Sequence, residues 1–167
     1  NYRFWTRLKY IAVSQEGPSI EMAKTLWLAR EVPDADAMRS LAAEVARLLT
    51  PGDVLVLTGD LGAGKTTFTQ GLGEALGVRG PITSPTFVLS RHHPNLGSGP
   101  ALVHVDAYRL GGAGELDDID LDSTVESSVT VVEWGEGMAE QLSDSWLSIN
   151  IEVRSIHESD PQGAACG

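Results

Sequence analysis

The sequence predicts an α/β protein: three layers, with a mostly parallel sheet at the centre and one or more antiparallel strands at its edge. Two observations carry that expectation. Short apolar runs alternate along the chain with segments whose apolar residues recur at helical spacing, which is the pattern of a layered α/β sheet. At one junction between such a run and such a segment stands Gly59-Asp60-Leu61-Gly62-Ala63-Gly64-Lys65-Thr66, a complete Walker A motif. That motif belongs between a strand and a helix, and it narrows the class to a phosphate-loop NTPase fold. The chain of 167 residues has room for one domain with a substantial core and little room for two.

The elements follow in order. Residues 1–24 lack clear periodicity and contain Gly17-Pro18, so they read as a flexible N-terminal extension. Arg3, Arg7 and Lys9, interleaved with Tyr2, Phe4, Trp5 and Tyr10, make it either a docking arm or a segment with no fixed role. The domain proper spans residues 25–156 and opens with a strand over residues 25–32. Pro33-Asp34 then starts a helix whose apolar residues Met38, Leu41, Ala42, Val45, Leu48 and Leu49 fall at helical spacing, and Pro51-Gly52 ends it. Val54-Leu55-Val56-Leu57 is the strand that feeds the Walker A loop, and Thr67-Phe68-Thr69-Gln70 lies in the helix that leaves it, running to about Gly77.

Residues 78–85 are a connection rich in Gly, Pro, Ser and Thr, residues 86–90 a strand, and residues 92–100 a turn-rich loop. Residues 101–105 form another strong strand. The stretch 111–128 carries Glu115, Asp117, Asp118, Asp120, Asp122 and Glu126 with no basic residue, as a solvated helix and loop or as a contact surface for a basic partner. Residues 129–133 read as a buried strand, 135–142 as a short helix, 146–153 as a last alternating strand, and 157–167 as a disordered tail.

The chemistry concentrates on the Walker A segment. Its three glycines let the backbone curl so that successive N–H groups face an anion, where side chains would block the approach. Lys65 is placed to reach the β- and γ-phosphates of a nucleoside triphosphate. Thr66 is placed to offer its hydroxyl to Mg²⁺, and the helix that follows adds its N-terminal partial charge. The candidate nucleotide-binding set is therefore Gly59, Asp60, Leu61, Gly62, Ala63, Gly64, Lys65, Thr66 and Thr67.

Hydrolysis or transfer needs more: a metal held by a carboxylate, and an oriented nucleophile. Leu102-Val103-His104-Val105-Asp106 and Val129-Thr130-Val131-Val132-Glu133 both run apolar and finish on an acid. In a parallel sheet the C-terminal strand ends open onto one crevice, so Asp106 and Glu133 can converge on the metal bound by Thr66. Lys65, Asp106 and Glu133 are the candidate catalytic residues. Thr83-Ser84-Pro85-Thr86 is either a turn whose hydroxyls cap backbone groups or a switch loop that senses the γ-phosphate. Trp134 is either core or a surface on which a base or partner stacks, and Arg109 either an ion-pair residue or a cation for the transition state. His104, between Val103 and Val105, reads as a packed, hydrogen-bonded histidine.

Composition and motif content weigh against other classes, and a small-molecule kinase and a nucleotide-gated binding switch on the same fold are the alternatives to an ATPase. A net charge of −11 with twelve scattered basic residues argues against independent nucleic-acid binding. The single Cys166 leaves no disulfide framework or cysteine metal site, and no apolar stretch reaches membrane-spanning length, which together point to a cytoplasmic protein. A small-molecule kinase would need an Arg-bearing lid to stabilise the transferred phosphate, and the loop after residue 90 offers only Arg91 and two histidines. A guanine-reading switch would carry an Asn-Lys-x-Asp segment, which Asn1, Asn95 and Asn150 do not form.

Four segments together resemble the signature segments of the TsaE (YjeE) family. They are Gly59 to Thr67, Ile82-Thr83-Ser84-Pro85-Thr86-Phe87, His104-Val105-Asp106-Ala107-Tyr108-Arg109-Leu110 and Val132-Glu133-Trp134-Gly135-Glu136. The resemblance covers residues 33–153 in the right order. It implies a bacterial ATPase of tRNA threonylcarbamoyladenosine synthesis that uses ATP and Mg²⁺, hydrolyses slowly alone, and associates with the TsaD and TsaB proteins. Those partners modify adenosine 37 of tRNAs reading codons that begin with A, so tRNA is met only within the complex. It further implies metal ligation by Thr66, Asp106 and Glu133, a switch formed by Thr83, Ser84 and Thr86, and Trp134 near the nucleotide or the partner. The N-terminal extension, the glycine-rich 111–114 stretch and the acidic run depart from the family pattern.

Overall fold

The computed structural model describes residues 8–16, 25–60, 62–83, 90–107, 122–133 and 142–154. A seven-stranded sheet holds them together: β1 (Leu8–Glu16), β2 (Thr25–Val32), β3 (Val54–Gly59), β4 (Ser90–His93), β5 (Ala101–Asp106), β6 (Ser128–Glu133) and β7 (Trp146–Arg154). Their spatial order is β2-β1-β7-β3-β6-β5-β4. The four strands β7, β3, β6 and β5 run parallel. Antiparallel strands flank them, β4 on one side and the β1–β2 pair on the other.

Helices α1 (Ala35–Ala46) and α2 (Lys65–Leu76) pack on one face, and the four-residue α3 (Asp122–Val125) lies against β6. Asp34 starts α1: its carboxylate accepts from the Ala37 N–H at 2.8 Å, a cap that contributes about 1 kcal/mol. The helix buries Met38, Leu41, Ala42, Val45 and Ala46, and its larger apolar side chains contribute roughly 1.5–3 kcal/mol each. It stops at Arg47, short of the expected end, because the chain turns into a loop in which Asp53 accepts from the Thr50 N–H. Leu48 therefore sits outside the helix at 62% exposure, although its spacing placed it on the core face. Leu49 still packs against the core.

α1 and α2 meet at a glycine. A Cβ on Gly71 would stand 2.7 Å from the Arg39 Cα and 2.9 Å from its carbonyl oxygen, so the two helix backbones approach more closely than any side chain there would allow. Beneath them lies a core of Ile11, Val13, Leu55, Leu57, Phe68, Leu72, Leu102, Val129, Val131 and Ile149. A smaller cluster on the other face joins Val54, Val103, Val105, Ala107, Val125 and Val132, with Leu142 and Trp146 packed against it.

Two boundaries differ from the sequence reading. Residues 1–24 were expected to be a flexible extension, yet Leu8–Glu16 is an inner strand, paired with β2 on one side and β7 on the other. Ile11 and Val13 point into the main core. The run Tyr10-Ile11-Ala12-Val13 is too short and too uniform to show period-two alternation, and what orders it is β7, which follows almost the whole chain later. Of the strand expected at residues 86–90 only Ser90 is described, and it opens β4, so His92 and His93 belong to an antiparallel edge strand rather than to a loop. Residues 84–89, all but the last residue of the helix expected over 135–142, most of the acidic run and the tail 157–167 lie outside the described residues. No described helix is long and apolar enough to cross a membrane.

Candidate functional site

The site forms where β3 gives way to α2. β3 ends at Gly59, which lies tight against β7: an added Cβ would come within 2.9 Å of the Ile151 carbonyl oxygen and 3.2 Å of the Ala63 Cβ. The loop then turns on an Ala63 N–H to Asp60 carbonyl hydrogen bond of 2.9 Å. Gly62 and Gly64 adopt φ of 78° and 115°, conformations that L side chains resist, so glycine is required at both. The Ala63 side chain is buried under the loop while Asp60 and Gly62 face out. Gly64 caps α2 without a side-chain hydrogen bond. The amides of the first turn of α2, together with the helix dipole, make an anion-binding end.

Lys65 is buried, and its Nζ donates to the Gly59 carbonyl at 2.7 Å. That bond pins the ammonium where strand becomes loop, beside the free end of α2. Thr66 and Thr67 are half-buried in the first turn.

The sheet register brings both predicted carboxylates to this place. Leu57 of β3 pairs with Glu133 of β6, and Glu133 pairs with Asp106 of β5, so the three residues form a row across neighbouring parallel strands. With strands about 4.8 Å apart, Glu133 sits one strand from the end of β3 and Asp106 two. Both are buried, Glu133 at 4% exposure and Asp106 at 9%. His104, two residues before Asp106 on the same face of β5, is fully buried, and its Nε2 lies 3.0 Å from Glu133 Oε1. The expectation of a packed, hydrogen-bonded histidine holds, but its partner, Glu133, was not foreseen; the shared parity of positions 104 and 106 was the available signal.

Mg²⁺ bound beside a triphosphate takes one or two carboxylates, waters and phosphate oxygens rather than an all-protein cage. A Thr66 hydroxyl at the helix start with buried carboxylates at adjacent strand ends fits that donor set.

Thr83 is exposed. Its neighbour Ile82 is tied to α2, where Gln70 Nε2 donates to the Ile82 carbonyl at 2.9 Å, five residues past Lys65 and so about 7.5 Å along the helix axis. The structure therefore delivers the chain to the flank of α2 at Thr83. Leu61, Ser84, Thr86, Arg109 and Trp134 lie outside the described residues.

Comparison with known proteins converges on one family. The family model "Threonylcarbamoyl adenosine biosynthesis protein TsaE" matches residues 32–160. The chain belongs to the TsaE family. It is 60% identical over 116 residues to the tRNA threonylcarbamoyladenosine biosynthesis protein TsaE of Streptomyces coelicolor, covering 69% of this chain and 78% of that one. Its identity to the Mycobacterium tuberculosis TsaE is 48% over 128 residues, 72% of this chain and 76% of the relative. To the Bacillus subtilis TsaE it is 40% over 147 residues, 87% and 89%. Among solved structures it resembles Bacillus subtilis YdiB at a TM-score of 0.57 and 30% identity, over 85% of this chain and 78% of that one. The family match starts at Val32, so β1 and nearly all of β2 precede the matched TsaE segment.

Proposed function

We propose that this TsaE-family chain binds ATP with Mg²⁺ and hydrolyses it, acting in the formation of threonylcarbamoyladenosine at position 37 of tRNAs that read codons beginning with A. The observation that carries the reading is the row Leu57, Glu133, Asp106, which sets two buried carboxylates at the strand ends beside the Walker A loop.

The chain's own groups divide the work. The loop amides and the first turn of α2 hold the phosphates, and Lys65 neutralises charge on the β- and γ-oxygens. Thr66, Asp106 and Glu133 would hold the metal, which would supply neutralisation of the phosphate charge. Glu133, one strand from the loop, orients the attacking water and accepts its proton. Thr83, Ser84 and Thr86 sense the γ-phosphate, and Trp134 borders the nucleotide or the partner. The partners are the TsaD and TsaB proteins in the cytoplasm, with tRNA met through them, in keeping with a net charge of −11.

With no arginine supplied by a partner, turnover is expected at roughly 10⁻⁴ to 10⁻² per second. The test has two arms. Purified chain should bind ATP more tightly than GTP and lose binding in Lys65→Ala; tighter GTP binding overturns the ATPase reading. Cells whose only copy carries Glu133→Gln should lose threonylcarbamoyladenosine from their tRNA, and unchanged levels overturn the catalytic role of that carboxylate.

A further inference from the structure

We propose that His104 is the positioning residue for the Glu133 carboxylate, holding it in the orientation in which it serves hydrolysis. This inference rests on the ATPase reading and adds to it a residue outside the candidate catalytic and metal sets.

Position 104 is one where packing alone favours an aliphatic side chain. It lies in the middle of β5 between Val103 and Val105, pairs with Val131 of β6, and is fully buried. Histidine there carries a penalty, because its Nδ1 is buried with no hydrogen-bond partner among the described residues. An unmet buried polar atom costs about 1–3 kcal/mol. What offsets it is the other ring nitrogen, 3.0 Å from Glu133 Oε1.

In serving a metal or an attacking water the Glu133 carboxylate acts as an acceptor, and the role proposed here makes Nε2 the donor across the 3.0 Å contact. The effect on Glu133 follows from its torsions. The terminal carboxylate rotation of Glu is broad and nearly two-fold, so burial alone does not choose an orientation. A donor on a ring that cannot move, carried by the neighbouring strand, fixes Oε1 and with it the plane of the carboxylate. Hydrolytic groups need that kind of support, to within about 0.5 Å.

The test uses the full chain and three substitutions. His104→Gln keeps an N–H donor near the Nε2 position, His104→Asn places its amide near Nδ1 and falls short of Glu133, and His104→Leu removes both. Fluorescent ATP-analogue affinity should stay within about twofold of wild type, whereas single-turnover ATP cleavage should fall about 10- to 100-fold in His104→Leu and His104→Asn. His104→Gln should recover to within about fivefold of wild type. Without nucleotide, ¹⁵N spectra of the imidazole should show the Nε2–H tautomer and a shifted Nε2 signal in Glu133→Gln.

Wild-type protein that neither binds nor cleaves ATP overturns the functional reading and this inference together. Wild-type cleavage with His104→Leu within about threefold of it, equal rates in the Gln and Asn variants, or an Nδ1–H tautomer overturns the positioning role alone. Should His104→Leu fail to fold, the Gln and Asn comparison and the wild-type tautomer decide.

Discussion

Gly59→Ala is the substitution that joins fold to site most directly. A Cβ there meets the Ile151 carbonyl oxygen at 2.9 Å, the Ala63 Cβ at 3.2 Å and the Ile151 Cβ at 3.4 Å. The first contact is with β7 backbone held in the sheet by both β1 and β3, so it does not yield cheaply. Overpacking of this kind costs about 1–3 kcal/mol, and in a chain this size each kcal/mol moves the melting temperature about 2–4 °C. Gly59→Ala should therefore melt about 2–12 °C lower.

The loop side of the clash adds a functional consequence, because Ala63 is pushed away from the strand and the backbone cradle opens. ATP affinity should fall with stability. Adding Ala63→Gly removes the 3.2 Å contact and leaves the 2.9 Å one. The double variant should regain part of the affinity and little of the stability, a coupling of about 0.5 kcal/mol or more in a double-mutant cycle on binding. Calorimetric melting and nucleotide titration on the four proteins measure both quantities. A Gly59→Ala variant that melts within about 1 °C of wild type and binds ATP normally would refute the close approach of β7 to the loop.

Gly71→Ala sets an overpacking cost of about 1–3 kcal/mol against a gain in helix propensity of about 1 kcal/mol, and backbone contact at Arg39 should leave a net loss of up to about 2 kcal/mol in denaturant unfolding; a stabilised variant would contradict the close crossing of α1 and α2. His93 is buried on β4 beside the Arg79 carbonyl, which lies 3.1 Å from its Nδ1. Desolvation holds its imidazole below the usual histidine range against the raising effect of that carbonyl, and repulsion from the Arg91 guanidinium lowers it further. The unfolded chain then binds the proton more readily than the folded one, so stability should be full above about pH 6.5 and decline as pH falls below it. His93→Gln should flatten that part of the stability profile, and an unchanged slope would assign the dependence to other groups.

Some of this molecule was legible locally. Asp34 capping α1, the Thr25–Val32 strand and the strand, loop and helix around Lys65 were all readable within a few residues, because caps, glycine positions and periodicity are set by near neighbours. The acids at the ends of β5 and β6 were legible too, since an apolar run finishing on a carboxylate places that group at a strand end wherever the strand goes. The sequence could not order the strands. β1 exists as an inner strand only because Leu8 lies opposite Arg154 and Glu16 opposite Trp146, and pairing over such separations leaves no local trace.

The sequence by itself determined that a Walker A segment and two acids closing apolar strands belong to one α/β fold. Tertiary structure alone decided that Glu133 stands nearer the loop than Asp106, that β7 backs the loop at Gly59, and that the His104 ring lies against the Glu133 carboxylate. The reason is that side-chain periodicity fixes which face a residue occupies, whereas register and strand order fix which residue stands beside it.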